Sequence, residues 1–120
     1  GLWDACAATA GDALARMALV PRVLEARGLD VNPAMQARFQ SAGDGETAAI
    51  LEVILRDEVG HVAVGDRWFR WLCHAGGLDP EVTFADLLAN RRIAVRPPLN
   101  VAARRAAGFS DAELARLQGG

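Results

Sequence analysis

At 120 residues the chain has room for one compact domain with a modest core. Apolar residues make up 52% and charged residues 23%, and the formal net charge is -2, which argues against a general nucleic-acid binder or a membrane-surface protein. Tyr is absent, so the chain holds no tyrosyl radical or phenolate ligand, and every basic residue is Arg, which we read as coding bias. The two cysteines, Cys6 and Cys73, form no Cys-x-x-Cys pattern. Buried free thiols in a reducing cytoplasm fit them better than a disulfide scaffold or a structural zinc site. A disulfide between them stays open if the two long helices are antiparallel. No signal-like or bilayer-length apolar run is present, and the expected location is cytoplasmic.

Residues 3–27 read as one long helix, capped by Asp4, with Leu14, Met17, Val20 and Leu24 at helical spacing. Pro21 lies inside it and is expected to kink it. Gly28 suits a left-handed stop, and Asn32-Pro33 suits the start of a short helix over 33–42. Asp44 then caps the clearest element, residues 45–75, which ends at Gly76-Gly77. Asp79-Pro80 starts a helix over 80–91, where Thr83 and Asp86 offer a further capping box. Residues 93–100, with Pro97-Pro98, read as an extended loop. Asn100 caps a helix over 101–107, and Ser110-x-x-Glu113 is a capping box for a last helix over 111–118. No strand, repeat or low-complexity segment stands out. The expected class is all-α, a single helical domain over 1–120.

Within 45–75, the residues Thr47, Leu51, Ile54, Glu58, His61, Gly65, Trp68 and Leu72 follow one another in steps of three and four, a spacing expected of an inward seam. Glu58 and His61 occupy positions where apolar residues belong. A carboxylate there needs a partner, either a metal or a neighbouring cation such as Arg22. Glu-x-x-His alone is a short pattern that recurs by chance, and a buried Glu–His–Arg network fits the same residues. Glu25 stands on the line Ala7, Gly11, Leu14, Ala18, Pro21, whose small residues admit a close partner helix. An antiparallel partner would bring Glu25 level with Glu58 and His61. The alternative is an exposed Glu25 paired with Arg22 or Arg27. Asp57 is placed to accept from the His61 ring nitrogen that does not face the metal, to hold a ligand carried by another helix, or to pair with Arg56 or Arg67.

These residues carry a resemblance. Arg56-Asp57-Glu58-x-x-His61 resembles the fourth-helix motif of the ferritin-like di-iron carboxylate proteins, in which a Glu on the third helix lies a little over thirty residues upstream. Glu25 precedes Glu58 by 33 residues. The stretches Leu14–Asp30, Ile54–His61, Asp66–Cys73 and Pro98–Phe109 are similar to one bacterial family, domain of unknown function 455. The resemblance covers nearly the whole chain, which matches the second half of longer members. It implies a ferritin-like helical bundle of two long antiparallel helices with shorter ones. It also implies metal ligands Glu25, Glu58 and His61, with Asp57 and Arg22 behind them, as half of a dinuclear iron or manganese site. The rest would come from a second copy or from an N-terminal half, and the implied chemistry is oxygen-dependent hydroxylation or oxidation. The chain starts at Gly1 without Met and opens into a helical pattern, so a piece of a longer protein is expected. The alternative is a metal-free interaction module.

Trp68, Phe69 and Trp71 read as core or subunit packing rather than a substrate wall. His74, in the last helical turn, is favoured there by the helix dipole. Arg91, Arg92, Arg96, Arg104 and Arg105 form a loose basic region without interleaved aromatics, which reads as a solvated or ion-paired face. No phosphate loop, nucleophile elbow or Ser/His/Asp set is present.

Overall fold

Asp12 accepts the Ala15 amide at 3.1 Å and so caps a helix that begins at Ala13. In the computed structural model residues 12–119 are described, and every regular element among them is helical. The expected helix residues 3–11, with the Asp4 cap and Cys6, lie outside the described residues. Helix α1 (Ala13–Leu19), a π-helical turn (Val20–Glu25) and helix α2 (Ala26–Ser41) follow one another without a break.

This continuity corrects the expected stop at Gly28 and the separate helix over 33–42. A glycine inside a helix costs only about 1 kcal/mol, and the buried Leu29, Asp30 and Asn32 that follow it outweigh that. Pro33 cannot donate to the Leu29 carbonyl one turn back. That carbonyl accepts instead from the Asn100 side chain at 3.1 Å. Asn32 does not cap a helix. Its amide reaches the Leu51 carbonyl at 3.0 Å and accepts from Gln36 at 2.7 Å. The disturbance expected at Pro21 takes the form of a widened turn, in which the Ala26 amide reaches back to the Pro21 carbonyl.

Helix α3 (Gly45–Ala75) has the expected bounds. Asp44 accepts the Thr47 amide at 2.9 Å at its start. At its end Gly77 adopts φ 70, and the Leu78 amide returns to the Cys73 carbonyl at 2.8 Å. Helix α4 (Pro80–Asn90) is capped by Asp79 through the Val82 amide, not by the Thr83–Asp86 pair. Asn100 caps α5 (Val101–Ala106), and the box before α6 (Asp111–Gly119) is formed as expected, with reciprocal Ser110–Glu113 bonds of 3.0 and 3.1 Å.

The core joins Leu19, Val23 and Leu29 to Val62, Phe69 and Cys73 of α3 and to Phe84, Phe109 and Leu114. On α3 the buried line is Val62, Asp66, Phe69, Cys73, one position round from the expected seam. Of that seam only Gly65 is fully buried, while Ile54, His61 and Trp68 are exposed. Apolar residues continue around this helix, so two neighbouring stripes share helical spacing. Which one is covered depends on the helices that meet it.

Arg22 lies in the middle of this core with 0% exposure. Its Nε is 3.1 Å from Asp66 and its Nη2 is 2.7 Å from Glu113. These are close ion pairs that miss hydrogen-bond alignment. The guanidinium lies over the rings of Phe109 (4.2 Å), Phe84 (4.3 Å) and Phe69 (5.2 Å). Arg70 bonds both acids, at 3.0 Å to Asp66 and 2.7 Å to Glu113. Burial lowers the Arg22 pKa, with Glu113 and Asp66 working against it. Burial also raises Asp66, and the two arginines offset this only in part. At Glu113 burial is outweighed by Arg22, the Ser110 amide and Arg70, and its pKa falls below the ordinary carboxylate value.

Removing Glu113 as alanine strands Arg22 and is expected to cost about 3–5 kcal/mol in urea unfolding. The pH dependence of the milder Glu113→Gln follows from the lowered pKa. Stabilisation by Glu113 is full above the ordinary value of 4.5 and disappears as pH falls through the lowered one. Asp66, raised above 3.8, contributes in the opposite direction as pH rises. The difference in unfolding free energy between wild type and Glu113→Gln removes the part of the Asp66 effect that does not depend on the Glu113 charge. It is expected to be full at about pH 6 and to shrink on acidification; a difference independent of pH would contradict this account.

Candidate metal centre

Glu25 is the last residue of the π turn, and Glu58 and His61 lie one turn apart on α3. The contact that sets their level is Pro21 against Gly65. A methyl group at Gly65 would overlap the Pro21 ring, so the two backbones approach only because residue 65 has no side chain. One helical turn along from that contact, a carboxylate oxygen of Glu25, one of Glu58 and a ring nitrogen of His61 all lie within 4.8 Å of one another. The Glu58 side chain is 27% exposed and that of His61 69%, with 3.6 Å between His61 Nδ1 and the Glu58 carboxylate. That distance is too long for a hydrogen bond.

Glu25 has its pKa raised, first by burial and then by its hydrogen bond to Glu58 and the Glu58 charge, while His61 pulls it down. Two carboxylates this close repel one another, and a cation between them would relieve that repulsion. The donor set, two carboxylates and an imidazole, fits a metal ion on one side only, because three ligand atoms leave the remaining positions to water or to groups from elsewhere.

The family model described as "Protein of unknown function (DUF455)" matches residues 1–115. The chain belongs to this family. An uncharacterized protein of Haemophilus influenzae is 47% identical over 115 residues, covering 95% of this chain and 40% of that protein. The chain thus spans about two-fifths of the length of the curated relative it matches. No solved structure matches the chain. Among the described residues of this DUF455 chain, no helix is long and apolar enough to cross a membrane.

The other expected site residues fall as follows. Arg22, expected to stand behind the ligands, is engaged with Asp66 and Glu113 in the core. Asp57 is exposed, and its side chain makes no hydrogen bond or ion pair among the described residues. His74 is exposed in the last turn of α3. Sequence reasoning did not anticipate the Asp66–Arg70–Glu113 cluster. Its available signal was the i,i+4 spacing of Asp66 and Arg70, whereas Glu113 was legible only as a helix cap.

Around His61 the outer face of α3 carries Ile50, Val53, Ile54, Val64, Trp68 and Trp71, each between 45% and 59% exposed. Trp68 and Trp71 meet edge to face with centroids 6.0 Å apart. Met17, Val20 and Val64 form an open groove beside Glu25 and His61. The site therefore lies at the edge of an uncovered apolar face, a feature that marks interaction surfaces.

Gly65→Ala is expected to push the π turn off α3, costing about 1–3 kcal/mol of stability. The same displacement carries Glu25 away from Glu58 and His61. Thermal unfolding together with a metal titration checks both effects, and a variant that keeps wild-type stability would refute the close contact.

Proposed function

We propose that this chain supplies half of a carboxylate-bridged dinuclear iron or manganese site in a ferritin-like helical bundle. The observation that carries the reading is the convergence of Glu25, Glu58 and His61 within 4.8 Å. Asn32 meets Leu51, Glu25 meets Glu58, and Arg22 meets Asp66. Numbers fall on one helix as they rise on the other, which supports an antiparallel long pair. Glu58 is the bridging carboxylate, Glu25 a terminal ligand, and His61 binds through one ring nitrogen. Asp57, exposed next to Glu58, hydrogen-bonds and orients a ligand contributed by the other half. Arg22 supports the site from three residues before Glu25, through the core ion pairs.

Carboxylate oxygens with imidazole suit iron or manganese. Bound there, such ions would supply oxygen or peroxide activation for hydroxylation or oxidation of a substrate. The remaining ligands come from a second copy about a two-fold axis, or from an N-terminal half. Either would cover the Trp68–Trp71 face. A cytoplasmic location belongs to the same reading.

A second reading rests on the same closeness of Glu25, Glu58 and His61. The three side chains then form a metal-free polar network, and the domain is an interaction module. Elemental analysis after chelator-free purification and anaerobic ferrous or manganous loading separates the two. We expect stoichiometric metal that Glu58→Ala abolishes while far-UV helicity is kept. No metal after loading, with helicity lost in Glu58→Ala, would establish the polar network instead. Ferroxidase turnover without an oxidised organic product would point to metal handling.

Light scattering tests the partner. A dimer that Trp68→Ser/Trp71→Ser dissociates supports pairing of two copies. A strict monomer rules that pairing out and assigns the missing ligands to further helices.

A further inference from the structure

We infer that a second, independent site on this chain binds a small phosphate-bearing molecule with an apolar body. Beyond α4, the segment 91–96 lies against the π turn, α2 and α5 and lines with them an open-sided pocket of about 450 Å³. That is within the range of small-molecule sites, roughly 300–1,000 Å³. Arg27, Arg91, Arg92, Arg96 and Arg104 all contribute to its wall, and no carboxylate does. The chain as a whole is acidic, at -2; Arg91, Arg92, Arg96 and Arg104 belong to the basic region seen in the sequence, and folding adds Arg27 to them.

The arginines come from three separate parts of the chain. Asp30 accepts from Arg104 Nε at 2.9 Å and Nη2 at 2.6 Å, which fixes that side chain in the core at 1% exposure. Its Nη1 remains buried without a hydrogen-bond partner. Arg27 Nη1 donates to the Arg96 carbonyl at 3.0 Å and so ties the loop to α2. Among the described residues, no ion pair engages Arg27, Arg91, Arg92 or Arg96. Arg92 holds φ 54 as the left-handed residue that ends α4, with the Ile93 amide returning to the Leu88 carbonyl at 3.0 Å, and this turn sets the direction in which the loop leaves the helix.

Like charges gathered around one cavity repel unless an anion joins them. Planar guanidinium forks match phosphate oxygens two at a time. With Arg104 taken up by Asp30, Arg27, Arg91, Arg92 and Arg96 leave several positive charges around one cavity, which favours a multiply charged phosphate over a single carboxylate. Val23, Ile93 and Val95 supply apolar wall beside the arginines, which suits a ligand with a non-polar or planar body. None of the residues lining this cavity lines the groove at Glu25 and His61, so the inference is independent of the metal reading.

Calorimetric titration of the chain at low salt with AMP, inorganic phosphate and uncharged adenosine tests it. AMP is expected to bind at least about tenfold more tightly than either of the others, a factor that corresponds to one charge-assisted hydrogen bond or one buried apolar contact. Arg91→Ala/Arg92→Ala changes partly or fully exposed residues and is expected to keep native helicity while weakening AMP at least tenfold. Arg67→Ala, on the exposed side of α3, is expected to leave AMP binding unchanged. Absence of AMP binding at millimolar concentration would overturn the inference, as would equal binding of AMP and adenosine or an unaffected double variant. Binding of single-stranded polynucleotide alone, with steep salt dependence, would also overturn it and mark the arginines as an open nucleic-acid face.

Discussion

Taking the Arg22 guanidinium out of water costs several kcal/mol, and only nearby opposite charge and aromatic faces can return it. Asp66 comes from α3 and Glu113 from the first turn of α6, while the rings of Phe69, Phe84 and Phe109 come from three parts of the chain. Each of these groups has to be in place for Arg22 to be tolerable, so a single buried cation ties the π turn, α3, α4 and α6 together. Glu113 illustrates the economy of the arrangement: the same carboxylate closes a capping box on the Ser110 amide and accepts from Arg70.

The same contact region sets the level of the candidate metal ligands. Pro21 rests on Gly65, and Arg22 on Asp66, in consecutive pairs. One turn further, the widened π turn ends at Glu25 opposite Glu58 and His61. Charges in the core are matched and have little access to water. Those at the candidate site are unevenly matched, partly exposed and next to an apolar face. This contrast separates charges that hold the fold from charges available to a ligand.

The helix ends were legible from the sequence because capping is local chemistry. Asp44, Asn100 and the Ser110–Glu113 box act within four residues, and each forms as its spacing implies. The interruption expected at Gly28 through Pro33 failed for the opposite reason. A helix passes through Pro33 because Asn100, distant in sequence, satisfies the Leu29 carbonyl that the proline leaves free. The seam on α3 was placed one position off because apolar residues surround that helix, and periodicity cannot say which stripe meets a partner.

By itself, then, the sequence determined an all-helical chain, its family membership, the bounds of α3 and the pairing of Glu58 with His61, since all of these depend on short-range spacing or on similarity along the chain. It also singled out Glu25, but left open whether that residue meets them or faces water. Tertiary structure decided this through the contact of Pro21 with Gly65, which depends on a missing side chain. It also decided that Arg22 serves the core and that five arginines line one cavity. These outcomes depend on which distant surfaces are brought within a few ångströms, and charge and close packing act only over such distances.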